Sequence, residues 1–197
     1  MFVFRSGAAD AARRTVTLTS VALTLAAATA NGAPAAITAA APAGCAAATV
    51  IPANPTMRQA AADAVLCLIN AERTQRGLAP VLRSSLLGKA ANHHASDMVR
   101  RKYFSHVSPN GEDLHKRVAR TGYLRGARRP ALGETLAWGS DLYASPAQLV
   151  DDLMHSAEHK AIIVDRRYRD IGVGLALGAP MDGMGSGSTL SLNFGRR

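Results

Sequence analysis

Asp170-Ile171-Gly172-Val173-Gly174-Leu175-Ala176-Leu177 alternates aliphatic residues with glycine and alanine, the two-residue period of a strand. Leu190, Leu192 and Phe194, interleaved with Ser191 and Asn193, repeat that period near the end of the sequence. The stretch between them, Gly178 to Gly187, is rich in Gly and Pro and too long for a tight hairpin. Upstream the period changes to that of a helix. Val65, Leu68, Ile69 and Glu72 follow three-and-four spacing, predicting a helix over Ala60–Arg76 that Gly77 stops. Ser84 or Ser85 caps a second helix through Arg101, whose stripe of Leu87, Ala90, Ala91, His94 and Met98 makes His94 a hydrogen-bonded core residue and turns His93 away. A third, shorter helix spans Glu112–Gly122 with Leu114 and Val118 inward. Ser145-Pro146-Ala147-Gln148 supplies a cap, a first-position proline and a capping-box glutamine for a fourth, and Ser156 caps a fifth through Ile163. Helices first and an antiparallel sheet late give an α+β layered domain. Thr38–Ala40 or Gly133–Trp138 are the candidates to complete its sheet.

The first part of the chain reads differently. Arg13 and Arg14 precede an apolar run from Val16 to Ala28 that closes on small residues, so residues 1–33 are expected to be a signal peptide and the protein secreted, extracellular or held in the cell envelope. The run is too short and alanine-rich for a membrane span, and none is expected in the mature chain. Arg13-Arg14 is also a twin-arginine pair, without the residues that usually follow one, and Pro42-Ala43-Gly44-Cys45 is an incomplete lipoprotein motif. Residues 34–59, mostly Ala, Pro and small polar residues, are expected to be a flexible leader. Cys45 and Cys67 are the two cysteines of an exported chain and are expected to form one disulfide; the alternative is a buried free Cys67. Residues 60–197 then form one domain, taken as a monomer. The charge of +9 falls to +7 once residues 1–33, with three arginines and one aspartate, are removed. Arg100-Arg101-Lys102, Arg125, Arg128-Arg129, Arg166-Arg167 and Arg196-Arg197 read as scattered clusters without interleaved aromatics. They suit loose attraction to anionic envelope polymers rather than specific nucleic-acid binding.

Three polar residues stand where a core would not ask for them: His106 in Tyr103-Phe104-Ser105-His106, Glu134 in Gly133-Glu134-Thr135-Leu136, and His159 in Ser156-Ala157-Glu158-His159. Taken with Leu66-Cys67-Leu68-Ile69-Asn70-Ala71-Glu72-Arg73 and Asp170-Ile171-Gly172-Val173-Gly174, their order over residues 60–197 resembles the bacterial branch of the CAP superfamily, whose SCP-like domains are named for cysteine-rich secretory proteins, antigen 5 and pathogenesis-related proteins. That resemblance implies a three-layer α-β-α sandwich with a small, mainly antiparallel sheet and a central cleft. It also implies that His106, Glu134 and His159 face the cleft, with Asp151, Asp152 or Glu158 near the place of a second acid. The sequence departs from the family pattern at Thr135, Leu153 and Glu158. Glu158 either raises the pKa of His159 or competes with it as a ligand.

Two imidazoles and a carboxylate suit Zn²⁺ or another divalent cation, with His106 and His159 as ligands and an open position for water. Without metal, the same groups polarise a water or hold a polar ligand head. The structural alternative is that Glu134 binds backbone amides and His106 closes the loop before Ser108-Pro109-Asn110-Gly111. His155-Ser156-Ala157-Glu158-His159 matches a metallopeptidase string, but it lacks a later His or Glu as third ligand, and Ser156 breaks the face it needs. The leading expectation is therefore a binding protein for a small molecule, a lipid (as in relatives) or an envelope polymer, without an established catalytic activity. A metal-dependent hydrolase acting through the same cleft, with Glu134 as general base, and a glycan-interaction module of the envelope are the alternatives. Specificity is expected in the loops Arg125–Pro130 and Gly178–Gly187.

Overall fold

A computed structural model describes residues 44–184 and 186–197. The signal peptide expected over 1–33 and the candidate strand Thr38–Ala40 lie outside the described residues. In chain order the elements are α1 (Pro55–Thr74), β1 (Leu82–Arg83), α2 (Ser85–Arg101), α3 (Leu114–Thr121), β2 (Ala131–Ser140), α4 (Pro146–His155), α5 (Ala157–Ile163), β3 (Asp170–Leu177) and β4 (Gly187–Arg196). The sheet order is β1-β3-β4-β2, with only the short β1–β3 pair parallel. The fold is thus α+β with a mainly antiparallel sheet. The stretch Gly133–Trp138 completes it, paired along its length with β4.

Side chains on the two sheet faces meet different partners. Leu190, Leu192 and Phe194 join Ile171, Val173 and Leu175 under α1 and α4, in a core with Val65, Leu68, Ile69, Leu149 and Leu153. Alternate residues of the same strands, Gly172, Gly174, Ser191 and Asn193, turn to the other face. There α2 approaches so closely that a Cβ on Gly174 would stand 2.1 Å from the Ala91 carbonyl carbon, and one on Gly172 2.1 Å from that of Leu87. Helix and strand therefore touch through main chain. A smaller cluster of Leu87, Ala90, Val118 and Tyr123 joins α2 to α3 on this face.

Caps set the element boundaries. Ser84, Ser145 and Ser156 each accept a backbone N–H at the starts of α2, α4 and α5. Asp113 caps α3 by accepting from Lys116 N at 2.8 Å, so that helix begins at Leu114 rather than Glu112. Asn54 accepts from Met57 N at 2.9 Å and Pro55 follows it, so α1 begins at Pro55 rather than Ala60. The segment before α1 is also packed. Cys45 and Cys67 form the expected disulfide, with Cα atoms 5.6 Å apart, and the buried Ala48 accepts a hydrogen bond from Ala147 N at 2.8 Å. A flexible leader reaching residue 59 is therefore corrected from Cys45 onward: the cross-link and the contact with α4 hold a stretch whose composition alone would leave it loose. Among the described residues no helix is long and apolar enough to cross a membrane.

Candidate functional site

The site is built from the loop after α2, on the side of the sheet that α2 and α3 cover. Lys102 ends α2 in the left-handed conformation, φ 54°, and turns the chain back over the helix. Tyr103 then donates its hydroxyl hydrogen to Asp97 at 2.8 Å and lies 3.0 Å from Ser108 Oγ. His94 fixes the middle of the loop. Its Nε2 is 2.9 Å from the carbonyl oxygen of Ser105, which can only accept, so Nε2 carries the proton. Burial pushes the His94 imidazolium down, against the opposing pull of Glu134. The expected core histidine is there, and it holds the residue before His106.

Glu134 lies on β2 opposite Asn193 and points toward α3. Arg117, on α3, donates through one terminal nitrogen to both carboxylate oxygens, at 2.7 and 2.9 Å. Its other terminal nitrogen donates to the carbonyl oxygens of Glu112, at 2.9 Å, and His106, at 3.0 Å. The side chains of this ion pair are 1% and 3% exposed. Asn193, its amide oriented by its surroundings, donates to Glu134 Oε1 at 3.0 Å and accepts from Ala91 N at 3.2 Å. His106 completes the shell, with Nδ1 at 2.8 Å from Glu134 Oε2. Burial by itself would raise the Glu134 carboxyl, but the hydrogen bond from His106 and the charge of Arg117 hold it below the usual range.

An ionised carboxylate accepts only, so His106 Nδ1 bears a proton, and whenever the ring is neutral Nε2 presents its lone pair. The ring is 55% exposed. Glu134 therefore orients and polarises an accessible imidazole, the part a carboxylate plays behind a functional histidine. The alternative in which Glu134 binds backbone amides does not occur: its partners are side chains.

His159 sits in the first turn of α5, half-buried, and its ring makes no hydrogen bond with another described residue. Burial lowers its pKa, the charge of His106 lowers it further, and Glu158 opposes both. The upward shift expected from Glu158 is thus outweighed by desolvation. The structure brings His106 and Glu134 into contact and sets His159 within electrostatic reach of His106. None of the three acids considered for a fourth place touches the His106–Glu134 pair: Asp151 faces His155, Asp152 accepts from Gln148 at 3.1 Å, and Glu158 is exposed. His155 is exposed and bonded to the Asp151 carbonyl, while Ser156 ends α4 and caps α5. The metallopeptidase string is accordingly split between two helices.

Zinc coordination by Glu134 together with the imidazoles does not fit this donor set. Both carboxylate oxygens are engaged by a guanidinium, and among the described residues no group of three His, Cys, Asp or Glu is arranged to hold a metal ion. Arg117 and Asn193 are the site residues that sequence reasoning missed. Arg117 had a signal: it occupies the three-residue step of the inward stripe Leu114, Val118, Thr121, where an arginine needs a buried partner.

Comparison with known proteins shows what the chain and its fold are similar to. Residues 66–183 match the model of a family described as CAP, cysteine-rich secretory protein family. The YkwD protein of Bacillus subtilis (strain 168), described as uncharacterized, is 32% identical over 113 residues, covering 56% of this chain and 40% of that protein. An extracellular SCP-domain protein of Bacillus anthracis superposes with a TM-score of 0.58 at 20% identity, covering 74% of this chain and 45% of that one. An outer surface protein of Borrelia burgdorferi superposes with a TM-score of 0.53 at 19% identity, covering 68% of this chain and 90% of that one. The chain spans less than half the length of the two Bacillus proteins.

Proposed function

This chain belongs to the CAP family, the cysteine-rich secretory proteins, and from that membership we propose that it is an exported ligand-binding domain whose contact group is the His106 imidazole. One observation carries the reading. A buried assembly of Arg117, Glu134 and Asn193 is organised around a single ring that is itself half in solvent. Buried ion pairs are costly to assemble and contribute little net stability, so one aimed at an exposed group supports positioning as its purpose. With its ring neutral, His106 offers a hydrogen-bond acceptor at Nε2, and His159, whose pKa burial lowers, offers a second imidazole nearby. The ligand is a small or extended extracellular molecule carrying hydrogen-bond donors. Export is supported by the disulfide and by the extracellular and outer-surface descriptions of the structural neighbours.

The hydrolase alternative draws support from the same His106–Glu134 couple, with His106 rather than Glu134 as the base. A carboxylate held ionised by Arg117 is a weak proton acceptor.

Nitrogen-detected NMR of the histidine rings, with palmitate and a muropeptide as probes, tests the binding reading. A probe that binds should shift His106 Nε2 and His159, and His106→Ala should abolish its binding while the fold persists. Unchanged affinity in His106→Ala, or no response of either ring to either probe, would overturn the reading. Ester or peptide turnover lost in His106→Ala would favour the hydrolase instead.

A further inference from the structure

The arginines that look dispersed along the sequence converge at one end of the sheet. Arg128 and Arg129 lead into β2, Arg196 and Arg197 close β4, and Arg166 and Arg169 lead into β3. The register puts these three strand ends side by side: Ala131 pairs with Arg196, and Asp170 pairs with Gly195. Adjacent strands lie about 5 Å apart, so the three ends span roughly 10 Å. Hydrogen bonds tie them together. Arg169 N donates to Gly195 O at 2.9 Å, and the Arg196 guanidinium reaches Arg129 O at 3.4 Å. Arg197 is held over the Tyr123 ring at 5.4 Å.

Acids offset only part of the charge at this end. Asp165 is paired with Arg167 at 2.6 Å, which leaves Asp170, accepting from the Tyr123 hydroxyl at 2.5 Å, as the acid facing six arginines. Among the described residues the six converging arginines form no ion pair with a carboxylate, and all except the half-buried Arg196 are exposed. A surplus of like charges at this spacing is self-repelling and favours an anion between them. All six are arginine rather than lysine, and the planar guanidinium matches pairs of phosphate oxygens.

We propose that this arginine rim docks the domain on a linear phosphodiester polymer of the cell envelope, leaving the His106 site free for its own ligand. Choosing an envelope polymer rather than nucleic acid rests on the exported location proposed above.

The test measures binding of the full chain to immobilised poly(glycerol phosphate) across a salt series. Arg128→Ser/Arg129→Ser and Arg166→Ser/Arg169→Ser should each weaken binding about tenfold and flatten the slope of log affinity against log salt by about 2, one for each phosphate no longer neutralised. Arg58→Ser/Lys89→Ser removes equal charge elsewhere and should change affinity less than about threefold. Unaltered melting temperatures show that the variants are folded, and the two rim pairs provide independent tests. Equal losses in the control pair, or no binding by the wild type, would overturn the proposal. So would equal or tighter binding to double-stranded DNA of matched phosphate number. His106→Ala should leave polymer binding intact; loss there would place the polymer at the His106 site and refute the rim.

Discussion

Arg117 and Glu134 form a buried ion pair in which one guanidinium nitrogen serves both carboxylate oxygens, while the other grips the main chain at His106. The imidazole is thereby held at two points, through its ring by the acid and through its carbonyl by the base. Fixing both ends of one residue makes the pair a positioning device as well as a structural one.

Removing Arg117 leaves a carboxylate in a site that is 3% exposed. Arg117→Met should therefore cost about 3–5 kcal/mol of unfolding free energy, and adding Glu134→Gln should restore more than half of it. Urea denaturation of the single and double variants measures both. A loss below about 1 kcal/mol in Arg117→Met would mean that the pair does not hold this part of the fold.

Acid should destabilise the protein in two stages. His94 and His159 have folded pKa values below the ordinary 6.5, so the stability they contribute is full above that value and declines as pH falls toward their folded pKa. Glu134 is depressed below 4.5, so its contribution is present above that value and disappears as pH falls through its folded pKa. Melting temperature should fall between pH 7 and pH 5 and fall further below pH 4.5, and His94→Gln should flatten the first limb. A melting temperature that rises on acidification from neutrality would contradict the assignment.

Two glycines at the α2–sheet contact should respond oppositely to alanine. A Cβ at Gly174 meets Ala91 backbone at 2.1 Å, whereas one at Gly88, within α2, meets nothing within 4 Å. Gly174→Ala should cost upwards of about 3 kcal/mol, and Gly88→Ala should stabilise by up to about 1 kcal/mol. Thermal unfolding of both variants checks the pair, and a tolerated Gly174→Ala would show that α2 stands further from the sheet.

Zinc calorimetry distinguishes a positioned imidazole from a metal centre. With Glu134 engaged by Arg117, the wild type at pH 7.5 should take up Zn²⁺ only weakly, through His106 and His159, and Glu134→Gln should change that little. Stoichiometric tight binding that is lost in Glu134→Gln would require the carboxylate to leave its guanidinium and would refute the arrangement.

Much of this fold can be read from local signals. Ser84, Ser145 and Ser156 announce helices by hydrogen bonds made within four residues, and the alternation at Ile171–Leu177 records a strand with one greasy face. β2 is harder to read because Gly133 to Leu136 are buried on both faces, which erases the alternation. The Cys45–Cys67 cross-link is legible in the two cysteines of an exported chain, but the contact of Ala48 with Ala147 depends on a partner far along the chain, and composition carries no trace of it. The same holds for the site. His106, Glu134 and His159 stand out as polar residues in recurring motifs, but the pairing of Glu134 with Arg117 arises only when α3 folds over β2. The arginine rim likewise exists only through the register of β2, β3 and β4.

Because α2 rests on β3 through glycines, its height above the sheet is set by peptide groups in van der Waals contact rather than by interlocking aliphatics. His94, which secures the loop before His106, rides on that helix. Wholesale exchange of the oily layer under α1 and α4 would alter how hard the molecule is to melt while leaving the imidazole's coordinates inherited from the main chain.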